Sequence, residues 1–307
     1  MTRLIRAEIR RVASRRLVRV TLLLVAVAIA AGGVLAFATT GSISEARYEQ
    51  RVHTAQAQDR AVQARAAACV QAHGVGPNQE MPPAVANLCL PNSRITAHDP
   101  RFHRARLKNL LQGSSGVLAI IGWALGASLL GSEFASRSMT TLLTWETRRV
   151  RVILAKAAVV IVGAAALGAL ALLALALALW PTMALHGAPL GAADPSIATL
   201  AGVIARGAAL TALAAGMGLA IATLGRNTAA ALGAGFAYII VLENILGSSL
   251  RGWRRWLLLG NAIVFVSGSR DSGVPGRSVA GAGLFLAAVA GTLLIGAATA
   301  FRTRDLS

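Results

Sequence analysis

Six stretches of this chain are each apolar for about 20 residues, the length a helix needs to cross the hydrocarbon core of a bilayer. They fall at 17–38, 113–131, 152–180, 198–224, 228–247 and 279–301. Lipid offers no water to bond backbone amides, so such runs must satisfy their own hydrogen bonds, and a helix does this within one segment. The expected fold is therefore all-α, a polytopic membrane protein with six transmembrane helices. Only 14% of the 307 residues are charged, against about a quarter in a soluble domain. The third run is long enough to tilt or to extend past the bilayer. Glycine and alanine crowd all six, which lets helices approach closely. A GC-rich gene would produce the same bias, and the preference for arginine over the two lysines, Lys108 and Lys156, fits that alternative. The apolar part of the first run exceeds a signal-peptide core, so it reads as a retained anchor.

The segments between the runs have distinct characters. Residues 1–16 read as an interfacial amphipathic helix, with Leu4, Ile5, Ile9, Val12 and Ala13 on one face and arginines on the rest. Residues 39–112 form an extracytoplasmic loop. Ala46–Val70 within it lacks proline and glycine and reads as helix, whereas Gly74–Pro100 holds five prolines and reads as irregular. Cys69 and Cys89, the only cysteines, lie in this loop, where an oxidising compartment favours a disulfide over two free thiols. Residues 248–278 contain the apolar run Trp256–Val266, too short to span. Trp253 and Trp256 beside Arg254 and Arg255 mark it as a short re-entrant or interfacial helix between spans five and six.

Orientation follows from the arginines. The leader, the 132–151 loop, the turn at Arg226 and the 302–307 tail all fall on one face, which the positive-inside rule makes cytoplasmic. The segment Arg251–Arg277 opposes this with five arginines on the other side. Both termini are thus expected in the cytoplasm, with the chain multi-pass in the cell membrane. The net charge of +18 is spread over several loops without a soluble basic domain. It points to lipid head groups rather than to nucleic acid.

Two charges fall inside spans. Arg206 and Glu243 lie at depths of roughly 12 Å and 7 Å from the outer end, at 1.5 Å per residue. A lone central charge costs about 2.5–3.5 kcal/mol, so the two are expected to pair across the bundle, or else to snorkel separately to the interface.

Catalytic patterns are sparse. A P-loop needs a lysine after glycine to cradle phosphates, and neither lysine follows one. The five histidines all fall in loops without metal-site spacing. Gly113-Ser114-Ser115-Gly116 matches the GxSG pattern of intramembrane serine proteases, but that chemistry needs a base beside the serine, and no span carries a histidine. The protease remains a remote alternative.

The most particular segment joins spans two and three, GSEFASRSMTTLLTWETRRVRVILAK from Gly131 to Lys156. A plain connector needs a few polar residues. This one carries Glu133, Arg137, Thr141, Thr144, Trp145, Glu146, Arg148 and Arg149, the make-up of a docking surface. With the Gly-x-Glu of Gly131 and Glu133, the Thr141–Thr144 run, the arginines and Lys156, the chain resembles the permease subunit of a type-2 ABC exporter of the actinobacterial form. Weaker echoes are Asp99-Pro100-Arg101-Phe102, Gly225-Arg226-Asn227-Thr228 and the tail Phe301–Asp305. The resemblance implies two six-span permeases, a homodimer or two related chains, with separate ATPase subunits beneath. It also implies a coupling helix at Ser136–Trp145 seated in the ATPase, with Glu133 at its entrance. No cofactor belongs to this chain on that reading, since ATP and magnesium sit on the partner. The implied cargo is hydrophobic or amphipathic, because the spans lack a dense charged lining. A non-transporting scaffold or sensor driven by an ATPase is the alternative from a different class.

Overall fold

A computed structural model describes residues 2–74, 82–90, 95–97, 99–136, 149–191, 194–246, 251–269, 274 and 276–303. Within them the chain is an all-α polytopic membrane protein. The helices are α1 (Thr2–Ser14), α2 (Arg16–Thr39), α3 (Glu45–Ala72), α4 (Pro83–Cys89), α5 (Arg104–Ala135), α6 (Arg149–Ala178), α7 (Trp180–His186), α8 (Ile197–Gly225), α9 (Thr228–Ala237), α10 (Leu258–Ser267) and α11 (Val279–Thr303). Two compact units form. The first is Met1–Leu35, His103–Trp180 and Leu190–Ser307, and the second is Ala36–Phe102 and Pro181–Pro189.

The first unit is built around α8. Ser196 opens it by accepting the Thr199 N–H at 3.2 Å, which satisfies one of the amides a helix start leaves unbonded. It closes at Gly225, where Arg226 adopts a left-handed φ of 50°. Asn227 then caps α9 by accepting the Ala229 N–H at 2.9 Å. One side of α8 lies against α5 at backbone contact. A methyl group on Gly122 or Gly126 would overlap the carbonyls of Thr211 and Ala215, and one on Gly218 would overlap that of Trp123. Small residues on both helices remove the side chains that would hold the backbones apart. These glycines therefore have a packing role, whatever the base composition of the gene.

Among the described residues five helices are long and apolar enough to span, namely Arg16–Thr39, Arg104–Ala135, Val150–His186, Ile197–Gly225 and Val279–Thr303. The segment expected as a sixth span, 228–247, is built differently. It is α-helical to Ala237, then continues in wider π turns over Tyr238–Leu246. Hydropathy cannot register that change, because an apolar run scores the same at either pitch. The short helix expected near Trp256–Val266 is a 3-10 turn at Arg251–Trp256 followed by α10. Span two starts earlier than expected, at Arg104 rather than 113. Span three continues past a break at Leu179 into α7, where Pro181 sits in the first turn and needs no N–H partner.

In the second unit, α3 and α4 are joined by a disulfide between Cys69 and Cys89, with Cα atoms 5.6 Å apart. The proline-rich stretch expected to be irregular contains α4. Pro82 and Pro83 start that helix rather than break it, because proline's fixed φ suits the first helical position. Arg101 organises the rest. It is 6% exposed, donates from Nε and NH2 to Asp99 at 2.9 and 2.8 Å, and pairs with Glu45. Its guanidinium stacks 4.4 Å over the Tyr48 ring. The hydrogen bonds to Asp99, together with Glu45, hold Arg101 charged well above the ordinary arginine range. Buried Phe102 exchanges backbone hydrogen bonds with His186 and Ala188 at 2.8 and 3.1 Å.

Candidate functional site

Three helices of the first unit bring five charged side chains to one place. α5 ends at Ala135 and α6 begins at Arg149, so these two helices flank the most particular segment of the sequence. Glu133 lies in the last turn of α5 and Lys156 in the second turn of α6. Lys156 Nζ bonds Glu133 Oε2 at 2.8 Å and Glu8 Oε1, on α1, at 2.9 Å. Arg15, in the break between α1 and α2, donates from NH2 to Glu133 at 2.7 Å. From NH1 it donates to the Leu129 carbonyl at 2.9 Å and the Ser132 hydroxyl at 2.7 Å. Arg11 adds a longer contact to Glu8 at 3.3 Å.

Burial decides what these contacts mean. The side chains of Lys156, Glu133 and Glu8 are 4%, 7% and 8% exposed, and Arg11 is 43% exposed. The bridge Glu8–Lys156–Glu133 is thus taken out of water, where an unpaired charge is expensive and a fully answered one locks geometry. Beneath it lies an apolar floor of Leu129, Leu130, Ile153, Val160 and Leu219, against which Val12 of α1 packs. A cavity of ≈ 10 Å³ remains between floor and ions, about the space one water needs.

The leader helix was expected to lay Leu4, Ile5, Ile9, Val12 and Ala13 in the acyl boundary. Ile9 is 53% exposed at the protein surface, while the side of the leader turned to the bundle carries Glu8, Val12 and Arg15. Sequence reasoning passed over Glu8. Its one signal was an acid among arginines, one and two turns before Val12 and Arg15. Glu133, expected at the entrance of a docking surface, points inward to Lys156 and Arg15. Arg137, Thr141, Thr144, Trp145, Glu146 and Arg148 lie outside the described residues, as does the side chain of Arg149, whose backbone opens α6.

Arg206 and Glu243 do not pair with each other. Glu243 accepts the Leu259 N–H at 2.6 Å, and the Tyr238 hydroxyl accepts the Leu258 N–H at 2.8 Å. Leu257 has no side-chain cap to offer α10, so the segment Tyr238–Leu246 supplies one from outside. Arg206 lies at the other end of α10, its guanidinium against Gly268. The carboxylate is at the positive end of that helix dipole and the guanidinium at the negative end. The pairing expected from matched depths is replaced by a helix standing between the charges.

Ser115 of the GxSG match is fully buried and donates to the Leu111 carbonyl at 2.7 Å, packed on Gly207. Its hydroxyl is spent on its own helix and serves the α5–α8 contact.

The comparison with known families meets this geometry at both ends of the chain. The family described as ABC-2 family transporter protein matches residues 4–306. The chain belongs to the ABC-2 transporter family. No curated protein and no solved structure matches it. As an ABC-2 family member it is the membrane permease component of an ABC transporter, a component that lacks the ATPase site. ABC-2 permeases generally work with a separate ATPase. The absence of a glycine-lysine pair from the sequence fits that division.

Proposed function

We propose that this permease couples ATP hydrolysis by a separate subunit to export of a hydrophobic or amphipathic substrate, through the ion bridge Glu8–Lys156–Glu133. One observation carries the reading. The ends of α5 and α6, which flank residues 137–148, are bonded to each other and to α1 through a buried lysine shared by two carboxylates. A push on that segment moves three helices together, because separating them strips a buried charge of its partner. ATP closure can reorient the spans only if its two states contact the permease differently. A stiff junction at the base of spans two and three converts that difference into helix motion. Glu133 is then a positioning residue, and Arg137, Thr141, Thr144, Trp145, Glu146, Arg148 and Arg149 are the surface that meets the ATPase. ATP and magnesium bind on that partner. On this reading the base of the bundle faces the cytoplasm with both termini, and a second permease completes the path.

A second reading, an ATPase-driven scaffold or sensor, draws on the second unit. That unit is a folded body with its own disulfide and its own buried ion cluster around Arg101. Reconstitution separates the two. Vesicles holding the permease with its co-purified ATPase should show ATP-dependent flux of amphipathic dye. ATPase activity without flux for any amphiphile would favour the scaffold, and failure of any P-loop ATPase to co-purify would defeat both.

A further inference from the structure

Among the described residues no acceptor answers the guanidinium of Arg206. It follows Val203 and precedes Gly207 on α8, both buried, so it lies towards the bundle. Its Nε is closed off without a hydrogen-bond partner. Among the described residues no carboxylate reaches it, since Glu243, the nearest expectation, is engaged with α10. The C-terminal end of α10 is electrostatically favourable to a cation, yet no hydrogen bond from the guanidinium to one of its carbonyls forms.

Two glycines border the group. A methyl group on Gly202, one turn earlier, would lie 3.6 Å from both NH1 and NH2, and one on Gly268 would lie 2.6 Å from NH2. No side chain at either glycine overlies the guanidinium, and Arg206 is partly exposed. Ile197 on the same helix, and Leu259 and Ile263 on α10, are large, apolar and exposed. A partly exposed cationic fork on helices with exposed apolar side chains is complementary to a group with an anionic head and a hydrocarbon tail. Guanidinium meets phosphate or carboxylate through paired N–H donors, and intramembrane ionisable groups without internal partners mark ligand paths.

We propose that Arg206 is an anion-recognition site for an amphiphile with a phosphate or carboxylate head, whose tail lies along the apolar surface of α8 and α10. As to cargo, this rests on the transport reading and narrows its substrate class to anionic amphiphiles. As to binding, it stands without it. The same chemistry would accept a bilayer phospholipid or a free anion, and the assay separates these sources.

The full chain, purified in neutral detergent, is offered equimolar phosphatidylglycerol and phosphatidylcholine, and the lipid adducts are counted by native mass spectrometry. The wild type should favour phosphatidylglycerol about tenfold, the value of one charge-assisted contact. Arg206→Gln should bring the ratio close to one, and Arg206→Lys should keep most of it. Gly202→Leu, which covers the guanidinium while leaving its charge, should lower the ratio as Gln does, and it serves if the Gln variant does not fold. An unchanged ratio in Arg206→Gln or Gly202→Leu would overturn the proposal. So would displacement of the lipid by millimolar inorganic phosphate, which would assign a soluble-anion site. Because the readout needs no ATPase, a failure of the transport reading leaves it standing, and its own failure leaves the coupling account untouched.

Discussion

Removing Lys156 tests the ion bridge most sharply. Lys156→Met keeps the length of the side chain and deletes the buried cation that joins Glu8 and Glu133 at 2.9 and 2.8 Å, leaving Arg11 to reach the same two carboxylates at 3.3 and 3.9 Å. Glu133 keeps Arg15 at 2.7 Å. Among the described residues Glu8 keeps only Arg11, at 3.3 Å and half in solvent. Breaking a buried pair by removing one partner costs about 3–5 kcal/mol, because a charge is left without an answer. The remaining arginines place the expected value at the lower end, about 3 kcal/mol. Arg11→Ala, an exposed pair by comparison, should cost about 0–1 kcal/mol. The double variant Glu8→Met/Lys156→Met should recover part of the loss, since an apolar replacement of both partners is often neutral, giving a coupling energy of about 1–3 kcal/mol. Denaturant titration of the purified full chain in mixed micelles, followed by far-ultraviolet circular dichroism, measures these three and the Glu8→Met single that closes the cycle. If Lys156→Met is as mild as Arg11→Ala, or if the double variant is as damaging as the sum of its singles, the bridge is not a buried unit and the reasoning fails.

Three further expectations follow from the packing. Gly126→Ala should destabilise by about 1–3 kcal/mol through overlap with the Ala215 carbonyl, whereas Gly163→Ala, with nothing within 4 Å, should be neutral in the same titration. Replacing Cys69 and Cys89 by serine opens a closure of 20 residues, worth about 3 kcal/mol of chain entropy, and limited proteolysis should then cut within 45–90 far faster than in the wild type. Glu243→Gln weakens the cap on α10 by about 1 kcal/mol, which hydrogen exchange should register as faster exchange at Leu258 and Leu259 with little change in α8.

Much of this was legible before the fold was seen, and the limits have physical causes. Apolar run length fixed most of the spans, since lipid permits few alternatives to helix. It could not tell α-turns from the π turns of Tyr238–Leu246. Gly131, Glu133 and Lys156 stood out as a pattern, but the pattern could not say which way Glu133 points. That direction is set by Lys156 and by Glu8, whose partner is 148 positions away in sequence, and local spacing carries no signal for such a contact. The Arg206–Glu243 expectation failed for a related reason. Depth in the membrane was a sound guide to which charges needed an answer, but the start of a nearby helix was available to answer Glu243. Proline marked Gly74–Pro100 as loop by frequency, although its position at a helix start allows α4.

The central claim is that the buried bridge transmits what the ATPase does. ATP-dependent flux of amphipathic dye in proteoliposomes, with Glu8→Gln permease against wild type and equal amounts of bound ATPase, tests it directly. The account predicts that the folded variant still holds the ATPase but loses flux by about tenfold, the effect of a penalty near 1.4 kcal/mol on the coupled step. Wild-type flux from the folded, ATPase-bound variant would contradict it.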